Sequence, residues 1–311
     1  MNVEPLTNFW TLMHSIVLEF WRITEPHIED AAVKNDIPIE LYYYSELGLE
    51  YFSIDEFQKR DPFSNTEQFE KMFARFDVKG WIFPLPDERY QVSSKARDAV
   101  REIIQAGDAQ LTMFDLMSAK ELKELSGFLK QLVTANNEAP EPPEKWATIK
   151  RFRVADEDSP LIVQIRESLM DLFAYRDDSH LSAAHPHFGQ AGIVWNVLSS
   201  IAGGSAVNSA QMAESMAFRG YEESDYDVAI LAAIKIGWIE AGDASNTYCP
   251  THKGKEIREQ VEKLTDEYFY RPWSVLTGEE INSLYALLTK LRDQLIVYRK
   301  SKSDSAQSVS L

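Results

Sequence analysis

The chain has 311 residues, of which 44% are hydrophobic and 26% are charged, a composition typical of a globular protein with room for two domains. Its net charge of -17 repels polyanions at long range, so contact with DNA would need a local basic patch. A single cysteine excludes an internal disulfide, and no apolar run is long enough to span a membrane. Because the first ten residues also lack the positive flank of a secretory signal, we expect a cytoplasmic protein.

The first half of the chain begins with a predicted helix whose apolar face covers residues 9–23. Ser53, followed three residues later by Glu56, forms a capping-box pattern that predicts the start of another helix. A further helix is predicted over residues 66–79, and a short hairpin over residues 81–91. Helix, turn, helix and hairpin in this order predict a winged-helix unit.

The second half shows the same order more clearly. Helices are predicted at residues 161–174, 193–201, 208–218 and 223–236, followed by hairpin strands at 237–240 and 247–250. A long helix from Thr251 and a final helix at 279–298 complete this half. Between the halves, the proline-rich residues 136–144 predict a semi-rigid, extended linker. The serine-rich residues 301–311 predict a disordered tail.

Three segments recur in the same order in both halves. Lys79-Gly80-Trp81-Ile82 matches Ile236-Gly237-Trp238-Ile239 at an offset of 157 residues, and two later segments, residues 93–97 and 117–122, match at 158 and 159. An offset that grows by one residue at a time is what a duplication with small loop insertions produces. The sequence therefore predicts a first winged-helix unit at 1–135, the linker at 136–144, a second unit at 145–300 and the tail at 301–311.

A family resemblance rests on the hairpin and the helix start that follows it. Gly237-Trp238-Ile239, a wing, and then Pro250-Thr251-His252-Lys253-Gly254-Lys255 resemble this stretch in regulators of the multiple-antibiotic-resistance (MarR) type. Gly80-Trp81-Ile82 and residues 92–97 resemble the same elements, so the resemblance covers nearly the whole chain, twice.

Proteins of the MarR type are usually homodimers whose terminal helices pack together and present two DNA-reading heads. The resemblance therefore implies a mainly α fold: two tandem winged-helix units with extra N- and C-terminal helices, forming an intramolecular pseudo-dimer. The protein would be a monomer with internal pseudo-twofold symmetry, held together by the apolar faces of residues 9–23 and 284–297.

The charges of the two recognition helices and wings differ. The first unit has four candidate DNA-contacting cations, although solvated surface charge explains them equally well: Lys71, Arg75, Lys79 and, on the wing, Arg89. The second recognition helix begins with four carboxylates, and its wing lacks the arginine that is usual in the family. Such carboxylates suit the helix dipole and not phosphates.

Two hypotheses about function therefore remain open. The first is a transcription-regulator-like protein that binds double-stranded DNA mainly through the first unit. The alternative is an acidic winged-helix scaffold that has lost DNA binding and binds a protein partner or a small-molecule effector. No phosphate loop, dinucleotide fingerprint or nucleophile elbow is present, so we do not predict an enzyme or a cofactor.

The sequence also contains a cluster of three histidines and a short basic segment. His180, His185 and His187 could ligate a transition metal, but their spacing matches no known ligand pattern, and a polar turn between helices is the preferred interpretation. The basic segment 145–153, which also contains Trp146 and Phe152, resembles a nucleic-acid contact. A segment that docks on the protein itself is the preferred interpretation here.

Overall fold

Helices make up most of the chain in the computed structural model, which describes residues 6–41, 50–113, 117–153, 155–189 and 191–308. The helices described from end to end are α1 (Thr7–Lys34), α2 (Ile54–Arg60), α3 (Thr66–Val78), α4 (Ser94–Leu111), α5 (Ala119–Glu138), α6 (Trp146–Lys150), α7 (Leu161–Phe188), α8 (Gly192–Gly203), α9 (Ser209–Ser215), α10 (Glu223–Lys235), α11 (His252–Tyr270) and α12 (Gly278–Ser308). The strands are β1 (Tyr51–Ser53), β2 (Ile82–Pro84), β3 (Arg89–Val92), β4 (Ile239–Ala241) and β5 (Tyr248–Pro250).

The chain divides into two compact units, and each takes residues from both halves of the sequence. The helical unit comprises residues 1–49, 93–178 and 266–311, and the winged unit comprises residues 50–92 and 179–265. These units follow packing in space, whereas the boundary expected at residues 136–144 follows the repeat along the chain. The division into two sequential winged-helix units therefore stays a prediction.

The core of the helical unit includes the first and the last helices of the chain. The rings of Phe9 in α1 and Tyr285 in α12 meet edge to face, with their centroids 5.1 Å apart. A buried leucine row on α12 continues the contact, and an ion pair at 2.6 Å joins Arg299 of α12 to Glu19 of α1. The packing expected between the apolar faces of residues 9–23 and 284–297 is confirmed.

Residues 136–144 are not an extended linker throughout. The first three belong to α5, and the ammonium group of Lys145 donates hydrogen bonds to the carbonyl oxygens of Asn136 and Asn137, at 2.9 and 3.1 Å. The hydroxyl group of Tyr175 donates to the carbonyl oxygen of Glu141 at 2.6 Å. The segment is held in place because side chains satisfy the carbonyl groups that the helix end leaves free.

The end of the chain also differs from the expectation. Disorder was expected from residue 301, but α12 continues to Ser308. This extension contains no glycine or proline, and each added helical residue gains a backbone hydrogen bond, so that nothing in the segment stops the helix. Residues 309–311 lie outside the described residues.

In the winged unit, residues 50–92 form a helix-turn-helix and a small antiparallel sheet, together called the first head. Both hydrogen bonds of the expected capping box are present at the start of α2, between Ser53 and Glu56. The sheet has the order β1-β3-β2, with Phe52 opposite Tyr90. Strand β1 has three residues and no clear alternation, which is why the sequence did not predict it.

Residues 179–265, called the second head, contain α8, α9, α10, the hairpin β4–β5 and most of α11. Gly204, with a φ of 71°, ends α8, and the side chain of Asn208 caps α9. The expected hairpin is confirmed, with Glu240 opposite Cys249. Trp195 and Trp238 pack edge to face in the core, with their ring centroids 6.0 Å apart.

Candidate nucleic-acid interface

The recognition helix of the first head, α3, has one buried and one exposed face. The side chain of its N-cap residue, Asn65, accepts a hydrogen bond from the backbone of Glu67 at 3.1 Å. The aromatic residues of the inner face form the core of this head, and the four-residue spacing of the three expected cations puts them in one row on the outer face. All three are exposed: Lys71, Arg75 and Lys79.

The positive charge of this row is partly compensated. The ammonium nitrogen of Lys71 lies 3.4 Å from a carboxylate oxygen of Glu67, in a pair that is exposed on both sides. Such surface pairs contribute little energy and exchange readily for other partners. Glu70 and Asp77 lie on the same helix and are also exposed. The row is therefore positive locally, but the surface around it is not strongly basic.

The wing of the first head holds its arginine in a defined position. Two bonds join Arg89 to Asp87: the guanidinium Nε donates at 2.7 Å and the backbone N–H at 3.4 Å. The same guanidinium lies over the ring of Tyr51, 5.4 Å from the centroid. The hydrogen bond from the guanidinium lowers the pKa of the Asp87 carboxyl. The side chain of Arg89 is thus exposed, and its contacts with Asp87 and Tyr51 fix its orientation on the hairpin.

The second head has apolar or neutral residues at the matching positions. The two recognition helices are related by an offset of 157 residues, so the counterparts of Lys71, Arg75 and Lys79 are Val228, Ala232 and Ile236. The wings are related by an offset of 158 residues, and the counterpart of Arg89 is Thr247. Helix α10 starts with an acidic cap, in which the backbone N–H of Glu222 donates to the carboxylate of Asp225 at 2.9 Å. The capping interpretation is confirmed for Glu222 and Asp225, and the positions that match the basic row of the first head carry no cation.

The helix-turn-helix turns of the two heads are in direct contact. The backbone N–H of Asn65 donates to the carbonyl oxygen of Arg219 at 2.8 Å, and the side-chain amide of Asn65 donates to that of Gly220 at 3.2 Å. In return, the guanidinium of Arg219 donates to the carboxylate of Asp61 at 2.8 Å.

Helix α8 adds a second set of contacts to the same turn. The side-chain amide of Asn196 donates to the carbonyl oxygen of Phe63 at 2.8 Å. Phe188, at the end of α7, adds to these contacts, because its ring packs on that of Phe63 with the centroids 5.5 Å apart. At Gly192 the backbone of α8 comes so close that an added Cβ would lie 1.9 Å from the carbonyl oxygen of Pro62. The two heads are therefore fitted together along the turn of residues 61–65.

This contact decides how the recognition helices can approach DNA. Asn65 is the N-cap of α3, and Gly220 lies two residues before the N-cap of α10. The two helix starts are thus neighbours, whereas dimeric readers place their recognition helices about 34 Å apart to reach successive major grooves. In this conformation the heads cannot read two half-sites, contrary to what the MarR resemblance implies.

The three clustered histidines lie within α7 and not in a turn, which corrects the sequence-based interpretation. His180 Nδ1 is 3.4 Å from the hydroxyl of Thr265, while the ring of His187 stacks on Trp195. His180 also packs on Trp195, with ring centroids 6.2 Å apart, whereas His185 meets Phe188 edge to face at 5.5 Å. Among the described residues, no group of three or more His, Cys, Asp or Glu side chains is arranged to hold a metal ion.

The basic segment 145–153 docks on the helical unit. The buried guanidinium of Arg151 donates to Asp171 at 2.6 Å and to Glu167 at 2.8 Å. Arg153 donates to the same Asp171 at 2.7 Å, and the carboxylate of Asp178 accepts from the backbone of α6. The preferred docking interpretation is confirmed, because these arginines are engaged by carboxylates within the protein.

The comparison with protein families agrees with this architecture. A model of the helix-turn-helix family matches residues 174–299, from the middle of α7 into α12. The chain is therefore a mainly helical protein that contains a helix-turn-helix domain. The comparisons with curated proteins and with solved structures found no match. In the described part of the chain, no helix has the length and apolar character needed to cross a bilayer.

Proposed function

We propose that the protein is a transcription-regulator-like protein of the MarR type that binds duplex DNA through its first head alone. The observation that carries this proposal is the exposed row of Lys71, Arg75 and Lys79 on α3, next to a wing whose Arg89 is held in position. A helix-turn-helix domain in the chain supports it. The proposal assigns no catalytic activity to the protein and expects it in the cytoplasm.

A tandem duplication is part of the proposal. In the first head Phe52 pairs with Tyr90, and at the matching place in the second head the backbone N–H of Tyr248 donates to the carbonyl oxygen of Val207 at 3.0 Å. The packing of α1 on α12 supports an intramolecular pseudo-dimer. A monomer with internal pseudo-twofold symmetry is the oligomeric state we propose.

The docked turns limit the kind of DNA contact. In helix-turn-helix proteins, residues near the start of the recognition helix reach the base edges. Here the start of α3 is bonded to the second head, and the cations lie in its middle and at its end. Phosphate contacts position a protein on DNA and carry no direct sequence information. We therefore expect binding with weak sequence preference.

The test is a titration of a labelled duplex of mixed sequence, followed by fluorescence anisotropy at several salt concentrations. Four phosphate contacts predict a slope of about -3.6 in log K against log salt, or a roughly 100-fold loss of affinity between 50 and 200 mM salt. The double variant Arg75→Ala with Arg89→Ala should halve that slope. Lys263→Ala, which removes an exposed lysine from α11, is the matched control and should leave the slope unchanged.

The alternative function is an acidic scaffold that binds a protein partner or a small-molecule effector. The docked turns favour it, as do the apolar or neutral residues at the matching positions of the second head. Attraction to phosphates is strong at 20 mM salt. If no duplex binds even there, the DNA-binding proposal is overturned and the scaffold function remains.

A further inference from the structure

We propose that the outer face of α10 in the second head is a docking surface for a basic amphipathic helix of another protein. This inference goes beyond the proposed function, because it concerns the head to which no DNA contact is assigned. We call this face, formed by Val228, Leu231 and Ile236, the α10 outer face.

Exposure of large apolar side chains is the first observation. Val228 is 68% exposed and Leu231 is 66% exposed, although both lie on a regular helix in the middle of a head. The inner face of α10 already supplies the packing of the second head, through Tyr226 and Ile230. The outer apolar residues are therefore not needed to pack this head. Val228 and Leu231 are three residues apart and so are neighbours on the helix surface, and exposed apolar neighbours of this kind mark interaction sites.

The position of these residues is the second observation. Val228 and Ile236 occupy the places of Lys71 and Lys79 in the first head, where a recognition helix meets its target. The ammonium group of Lys253 donates to the carbonyl oxygen of Ile236 at 2.7 Å and so satisfies a carbonyl group at the end of α10. The second head thus carries apolar side chains at positions where the first head carries cations.

Charge identifies the occupant. Exposed acidic side chains lie in the first half of α10, at Glu223 and Asp227, and two more follow in the hairpin β4–β5, at Glu240 and Asp243. Lys235 is the basic residue of α10 itself. A second copy would bring the same acids against each other, and nucleic acid would be repelled. A helix with apolar residues at i, i+3, i+4 and i+7 could pack on the α10 outer face, and lysines or arginines beside those residues would pair with the acidic side chains.

The experiment uses an 18-residue probe peptide with leucines at that spacing and lysines elsewhere, titrated against the full chain at 150 mM salt. A peptide with glutamates in place of the lysines is the charge control. We expect the basic peptide to bind at least tenfold more tightly than the acidic one. Equal binding of the two peptides would overturn the assignment of a basic partner.

The variant Leu231→Glu separates docking from general attraction between opposite charges. It adds a negative charge, so pure charge attraction would make the basic peptide bind as tightly as before or more tightly. Docking on the apolar stripe predicts at least a tenfold weaker affinity. Val78→Glu changes an exposed valine of the other recognition helix and should leave the affinity within twofold. An unchanged or tighter affinity for Leu231→Glu would overturn the proposal.

Two further readouts keep the proposals distinct. DNA binding should be the same in Leu231→Glu as in the unmodified chain, and Arg75→Ala with Arg89→Ala should not change peptide binding. Light scattering on the purified chain tests for self-association. A dimer that Leu231→Glu dissociates would assign the face to a second copy and overturn the inference. Unchanged thermal unfolding of Leu231→Glu verifies that the variant is folded.

Discussion

The backbone N–H of Asn65 donates a hydrogen bond to the carbonyl oxygen of Arg219 at 2.8 Å, although the two residues belong to different heads. Asn65 is also the N-cap of α3. The residue at which this recognition helix begins therefore also binds the turn that precedes the other recognition helix, α10. The contact keeps the starts of the two recognition helices next to each other, which is why the proposed function uses the first head alone.

The ion pair of this contact should contribute to stability. Replacing Arg219 by alanine removes its bond to Asp61 and its stacking over Phe63, where the guanidinium lies 5.4 Å from the ring centroid. We expect a loss of about 1 kcal/mol in the free energy of unfolding, since the pair is only partly shielded from solvent. Urea unfolding measures it. Arg292→Ala, which removes the exposed pair with Asp293, should change the value by less than about 0.5 kcal/mol.

Steric fit in the same contact can be tested at a glycine. In Gly192→Ala the new Cβ would meet the carbonyl oxygen of Pro62, and neither backbone can move without separating the heads. We expect a loss of about 2 kcal/mol or more in the free energy of unfolding. Gly203→Ala lies on the same helix with nothing within 4 Å of the added Cβ, so it should be neutral within about 1 kcal/mol. Equal effects of the two substitutions would contradict the fitted contact.

The buried charges around Arg151 should be costly to break. Arg151→Ala leaves the carboxylates of Asp171 and Glu167 buried without their main partner, and we expect a loss of about 3–5 kcal/mol. Arg153→Ala removes a more exposed guanidinium from the same Asp171 and should cost about 1 kcal/mol. Thermal or urea unfolding compares the two. A larger effect of Arg153→Ala would show that the segment is not docked as described.

Asp108 predicts a pH dependence of stability. Burial raises the pKa of its carboxyl to about 6, although the guanidinium of Arg166, at 2.8 Å, opposes the shift. The folded chain therefore binds this proton more tightly than the unfolded chain does. Ionisation of Asp108 therefore lowers the free energy of unfolding above pH 6. As the pH falls from 6 toward 4, Asp108 in the folded chain takes up its proton and the free energy of unfolding rises again.

The measurement for Asp108 is the free energy of unfolding of the unmodified chain and of Asp108→Asn at pH 7 and pH 5. Between these values the unmodified chain should gain about 1 kcal/mol relative to the variant. Asp98→Asn removes an exposed carboxylate from the same helix, α4, and should show no such divergence. A difference that stays constant with pH for Asp108→Asn would refute the assignment.

Short-range signals in the sequence predicted most elements of the heads. Three such signals act through contacts within a few residues: the capping box at Ser53, the glycine that ends α8 and the turn residues of both hairpins. The local sequence is therefore enough to predict where these helices and strands begin or end. The cations of the first head were likewise identified from their place in the helix. The course of α7 was not, because its continuation through His180 to Phe188 depends on packing within the second head.

The sequence by itself determined the order of helices and hairpins, the net negative charge and the basic row on α3, since these depend on spacing and composition along the chain. Only the tertiary structure decided that the turn at Asn65 is docked on the turn at Arg219. Such a contact joins residues far apart in the chain through a backbone N–H and a carbonyl group, which nearly every residue has, so no side-chain pattern marks it. Close packing of the two heads selects it, and that packing exists only in the folded chain.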